Sequence, residues 1–185
     1  MKNKVVFNLV LSGILMGLLV VSSIIRIPLG TISITFQTLV IFVIALLLGY
    51  KWGSLTILCY LIVGLLGLPV FSKGGGFHYV LEPSFGYLVS FLIATFVVGK
   101  LVEKNTTYKR MIIACFIGLA IIYAIGLVYL YIIMKYYLQL TIEGFNFFVV
   151  YCLIPLPMDI ISIFIAVIIV KRLKIAFNNS QTENQ

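Results

Sequence analysis

GLLGLPVFSKGGGFHYVLEPSFGYLVSF, residues 64–91, begins and ends in apolar chain and breaks in the middle into three glycines, a lysine, the only histidine and a glutamate. The two flanks belong to much longer apolar runs. Of the 185 residues 63% are hydrophobic and 10% are charged. A water-soluble domain has roughly half apolar and a quarter charged residues. This chain has too little polar surface to cover a globule in water, so a bilayer is its solvent. Residues 71–88 therefore read as a loop leaving the membrane between two spans.

Outward from that loop, six apolar stretches predict six spans: Val5–Ile25, Phe36–Tyr50, Trp52–Val70, Phe85–Val102, Met111–Met134 and Phe145–Val170. A span takes roughly 17–25 residues. The second is short, and it meets the third at Tyr50-Lys51. The sixth carries Pro155 and Pro157, which remove backbone donors and disfavour helix just before them. A short or irregular lead-in from Phe145 is expected, with the main helix from about Met158. Lipid-exposed backbone must satisfy its own hydrogen bonds, which favours helices, and the alternation of a membrane barrel is missing. The expected fold is an all-α membrane protein, one domain over residues 1–177, followed by a polar tail at 178–185.

Charge predicts the orientation. Ten of the thirteen Lys and Arg residues fall at the N-terminus, the even-numbered turns or the C-terminus; Arg26, Lys73 and Lys135 fall on the other side. The positive-inside rule then puts both termini in the cytoplasm. The net charge of +8 is distributed as that rule demands and implies no nucleic acid. Met1–Val20 has basic residues before an apolar run, as a signal peptide does, but its removal would spoil the charge alternation. Cys59, Cys115 and Cys152 show no metal spacing and read as small buried hydrophobes.

With this topology the unusual polar chemistry collects on the outer face, in residues 26–37, 71–88 and 135–159. Asp159 stands out. About 18 Å of helix separates it from Lys171 at 1.5 Å per residue, which puts it in the outer half of a roughly 30 Å core. A charge there costs roughly 2.5–3.5 kcal/mol on insertion scales, so it must face protein, water or ligand. It reads either as a cap for the helix after Pro157 or as a ligand contact. Gly74, Gly75 and Gly76 read either as a flexible turn or as backbone brought close to a ligand. His78 reads as an interfacial polar side chain. The aromatics, among them Phe71, Tyr87 and Tyr123, serve as interface belts and helix packing, and a few can stack on a flat ligand. Gly13 and Gly17 lie four apart on helix one and permit close helix approach, which the pattern alone assigns to packing within this bundle. No nucleotide-binding motif, paired catalytic carboxylates or nucleophile–base set occurs, so an enzyme is not expected.

ISITFQTLVIF (residues 32–42), the 64–91 stretch, YAIGLVYLY (123–131) and LPMDII (156–161) occur in the order seen in BioY, and the chain resembles that family from its first helix to Lys174. BioY is the biotin-specific S-component of energy-coupling factor transporters. The resemblance implies a six-helix S-component bundle in the bacterial cytoplasmic membrane. It would bind biotin outside, with no cofactor, and dock onto a transmembrane coupling protein and a pair of ABC-type ATPases. Gly13 and Gly17 occupy the place where the family meets its coupling protein. The expected binding set is Gln37, Tyr87, Tyr123 and Asp159 from the helices, Phe71, Lys73, Gly74 and Gly75 from the glycine loop, and Arg26 from the loop before helix two. Two positions depart from the family pattern: Glu82-Pro83-Ser84 replaces Gly-Pro-Thr, and Ser162 stands where a lysine follows the aspartate by three residues. That lysine is a natural carboxylate partner, for which Lys73 or Arg26 would substitute. Alternatives are a family member retuned to another small molecule, a membrane enzyme, or a structural protein whose loops bind another protein.

Overall fold

The computed structural model describes residues 2–29, 32–140 and 144–182. Positions 30–31, 141–143 and 183–185, from two of the outward loops and the polar tail, lie outside the described residues. The long elements are α1 (Lys2–Ile24), α2 (Gln37–Leu65), α3 (Phe85–Val102), α4 (Tyr108–Ile132) and α6 (Leu156–Thr182). Between them lie an antiparallel strand pair, β1 (Arg26–Leu29) and β2 (Ile32–Thr35), and a short helix α5 (Gly144–Phe148). Among the described residues, five helices can cross a membrane by length and composition, with α4 prolonged by a π turn to Tyr137 and the last span running from Asn146 to Ala176.

The second apolar stretch from Gln37 and the third as far as Leu65, five residues short of the expected Val70, run together as α2. The helix breaks at Gly49, whose φ of 72° and ψ of −173° belong to a backbone that side chains resist. The break is a reversal. Gln37 Nε2 donates to Tyr60 Oη at 3.0 Å, although a straight helix would hold them about 35 Å apart. A methyl group built on Gly53 would touch the Ile44 carbonyl at 3.4 Å. The two limbs therefore lie side by side. The limb from Gln37 to the break is about 18 Å long, shorter than a hydrocarbon core. Its first residue meets the middle of the returning limb, which leaves room for a cavity above it.

Gly99 of α3 lies directly against the backbone of Gly49 and Tyr50, where any side chain would collide. Small residues of this kind let helix backbones approach closely when no hydrophobic force drives them together in lipid. The core between α2, α3, α4 and α6 is closed by Phe42, Ile57, Ala94, Cys115, Ile163 and Ala166, none of which is exposed. The outer surface is apolar as well: Leu55, Ile113, Phe116, Ile161 and Phe164 point outward, as a bilayer solvent requires.

Helix α1 is the peripheral element, with 17% of its apolar window buried against 56% for α2. A methyl group built on Gly13 or Gly17 would meet nothing within 4 Å among the described residues, so the packing within this bundle that their spacing suggested is not seen there. The prolines act as expected: α5 and a π turn (Val149–Leu153) form the lead-in, and α6 begins at Leu156, two residues before the expected Met158. Helix α6 also continues through Thr182 into the polar tail. Of the cysteines, Cys115 is buried, Cys152 half-buried and Cys59 exposed, so the expectation of burial fails for Cys59, whose helix face is turned outward.

Candidate functional site

A cavity enclosing about 650 Å³, mouth included, lies above the short limb of α2. Its walls come from β2, the start of α2, the 64–91 loop, α3, α4, the π turn before α6, and α6 itself. Among the expected binding residues, Gln37, Tyr87, Tyr123 and Asp159 line it together.

Asp159 is buried in the first turn of α6, but it does not cap that helix. Its Oδ2 accepts the Tyr123 hydroxyl at 2.6 Å, and Thr38 lines the cavity with it. A carboxylate offers about four lone-pair sites. One neutral donor leaves acceptor capacity on a carboxylate that lines the cavity. Beside this acid, Tyr87 and Tyr123 meet edge to face, with ring centroids 6.4 Å apart. With Phe91 and Tyr151 they form an aromatic slot.

Gln37 is held at both ends of its amide. Thr35 Oγ1 donates to its Oε1 at 3.0 Å, and its own Nε2 reaches Tyr60, whose hydroxyl passes on to the Val70 carbonyl at 3.0 Å. Both limbs of α2 and the 64–91 loop are thereby fixed around one wall. On another wall three hydroxyls form a chain: Ser72 Oγ to Tyr79 Oη at 3.1 Å, and Tyr79 Oη to Ser84 Oγ at 3.3 Å.

The glycine loop is a folded lid rather than a flexible turn. Phe71 is buried between Tyr60 and Tyr79, with centroids at 5.3 and 4.7 Å, and its ring fills the space beside Gly64. Phe71 and Gly74 exchange backbone bonds at 2.9 and 3.1 Å, and Gly76 N–H donates to the Gly64 carbonyl at 2.7 Å. Gly74 and Gly76 have φ of 118° and 111°, and Gly75 lies against the Leu68 carbonyl. The N–H groups of Gly74 and Gly76 are thus spent on the loop itself.

Phe71, Gly74 and Gly75 stand behind the cavity wall, and so do the two cations. Lys73 Nζ pairs with Glu82 Oε2 at 2.9 Å on the surface, and the Arg26 guanidinium donates to the Ser72 carbonyl. His78 is exposed. Ser162 is buried but does not line the cavity. Thr38, Ser72, Tyr79, Ser84 and Tyr151 line it without having been singled out from the sequence. Three of them lie in the 64–91 stretch and Thr38 follows Gln37, so proximity to marked residues was their signal; Tyr151 had none. No cluster of metal-ligating side chains occurs among the described residues.

The model of the BioY family matches residues 1–179. The chain is 38% identical over 152 residues to a probable biotin transporter BioY of Lysinibacillus sphaericus, covering 81% of this chain and 78% of the relative. It is 35% identical over 168 residues to the biotin transporter BioY of Thermotoga maritima, covering 90% and 95%. Its fold is similar to the crystal structure of the S-component for biotin from an ECF-type ABC transporter. That match has a TM-score of 0.83 at 25% identity and covers 94% of both chains.

Proposed function

The chain belongs to the BioY family, and from that premise we propose that it is the biotin-capturing S-component of an energy-coupling factor transporter. The observation that carries this reading is the Tyr123–Asp159 pair at the edge of an aromatic slot. Biotin presents a ureido ring with two N–H donors at one end and a carboxylate at the other. Asp159 has acceptor capacity for a ureido N–H, and Tyr87 and Tyr123 offer faces to the ring system. Phe71, Gly74 and Gly75 support the lid over the ligand. The carboxylate falls to the hydroxyls of Ser72, Tyr79 and Ser84, with Arg26 and Lys73 lending positive charge from behind.

The protein binds and delivers; it has no reaction to catalyse. We read the two limbs of α2 as separate passes, giving six in all, with both termini in the cytoplasm of a bacterial cell and the cavity outside. The exposed face of α1 carrying Gly13 and Gly17 then meets the transmembrane coupling protein, which works with a pair of ABC-type ATPases. Calorimetric titration of the purified protein with biotin tests the substrate: saturable heat with micromolar ligand is expected, and folded protein giving neither heat nor a thermal shift contradicts it.

A second reading draws on Ser162 and on a cavity wall with no lysine or arginine among the described residues. A site built this way suits a ligand with a neutral end. Biotin and its neutral amide separate the two: the first reading requires tighter binding of the acid, the second equal or tighter binding of the amide.

A further inference from the structure

At the end of the bundle opposite the cavity, α1, the Gly49 turn, the α3–α4 connection and the end of α6 converge on two adjoining grooves of about 770 and 660 Å³. Lys174 and Thr106 belong to both. Most cations at this end are simply what membrane topology demands. Lys4, Lys51, Lys100, Lys104, Lys109, Arg110 and Arg172 are all exposed. Lys171 and Lys174 differ. They are the two half-buried cations among the described Lys and Arg side chains, and both line the first groove.

Removing an ammonium group from water without a counter-charge is costly. Lys171 Nζ has a neutral partner, the Thr106 carbonyl at 3.2 Å, and lies over the Tyr108 ring at 5.2 Å. Lys174 is close enough to Lys171 for the two charges to oppose each other. No acidic side chain lines the first groove among the described residues. Glu103, on the adjoining groove, is bound to Lys100 at 2.8 Å. The remaining walls are amphipathic: Asn8 and Thr106 are polar, whereas Phe7, Leu11, Leu47 and Ile175 are apolar.

We propose that this groove binds the headgroup of one anionic phospholipid, its phosphate between Lys171 and Lys174 and its acyl chains along Phe7, Leu11 and the apolar face of α1. The charge complementarity calls for an anion, and the apolar walls call for one attached to hydrocarbon. Basic pockets between helices at a membrane surface suit such headgroups, at about 1 kcal/mol per lysine. This inference is independent of what the cavity binds.

The test is retention of lipid by the full-length protein from bilayers of equal phosphatidylglycerol and phosphatidylcholine, read by native mass spectrometry. One retained phosphatidylglycerol is expected. Lys171→Met and Lys174→Met, which keep the apolar stems, should each lower its preference over phosphatidylcholine about fivefold. The exposed pair Lys104→Met and Lys109→Met, which line neither groove, should leave it unchanged. Inorganic phosphate and glycerophosphoglycerol, which lack acyl chains, should not displace the lipid. Thermal melting in neutral detergent confirms that each variant is folded; if one is not, Lys→Gln at the same position replaces it. Equal retention of both lipids overturns the proposal. So does an equal loss in the exposed-lysine control, or displacement by inorganic phosphate. Unchanged retention with weakened co-purification of a coupling protein would assign the groove to a protein partner instead.

Discussion

The two ends of the bundle handle buried charge in opposite ways. At the cavity end, Asp159 is buried yet already bonded to the neutral Tyr123 hydroxyl. At the other end, Lys171 and Lys174 are only half-buried, but among the described residues they meet carbonyl, ring and each other rather than a carboxylate. A charge held by neutral donors can stay in an empty site and still accept from a ligand. A charge without a counter-ion favours an anion from its surroundings. The first is a site prepared inside the fold, and the second is a site completed by the membrane.

The sharpest way to break the cavity end is through its lid. Gly75→Val would drive a side chain into the Leu68 carbonyl, against backbone that cannot yield. Biotin binding should fall below detection while the helices stay folded, as circular dichroism and titration together would report. Tyr79→Phe removes the middle hydroxyl of the Ser72–Tyr79–Ser84 chain. The loss should be near 1 kcal/mol, about fivefold in affinity, and smaller for the neutral amide of biotin. Lys73→Ala breaks an ion pair at the surface. Such pairs contribute roughly 0.2–1 kcal/mol, so affinity should change less than about fivefold and the difference should shrink in high salt. Gly13→Leu with Gly17→Leu should leave biotin affinity unchanged, because among the described residues nothing lies within 4 Å of a methyl group built on either glycine. The same pair should weaken co-purification with a coupling protein.

The apolar runs made the long helices legible, and Pro155 and Pro157 marked where the last one begins. The reversal inside α2 was harder to place, since Leu46 to Tyr50 is almost unbroken apolar sequence and Gly49 differs from other helix glycines only in its backbone angles. The β1–β2 pair was read as loop because each strand has only four residues. Asp159 was legible because a carboxylate in an apolar helix needs a reason. Its partner was not legible: Tyr123, whose hydroxyl it accepts, lies 36 residues away in sequence. The glycine triplet was legible as special, but not its task. Its backbone closes on Phe71 and Gly64, contacts set by tertiary packing. Tyr151 and Thr38 resemble many other residues of their kind, and only packing decides which of them face the cavity.

Asp159→Asn offers the most direct measurement. Asparagine keeps the shape and can still accept from Tyr123, so the fold should hold. What is lost is the charge offered to a ureido N–H. A charge-assisted bond exceeds a neutral one by roughly 1–1.5 kcal/mol, so biotin affinity by calorimetry should fall about tenfold. Equal affinity in the folded variant would contradict the claim that this buried acid binds the ligand.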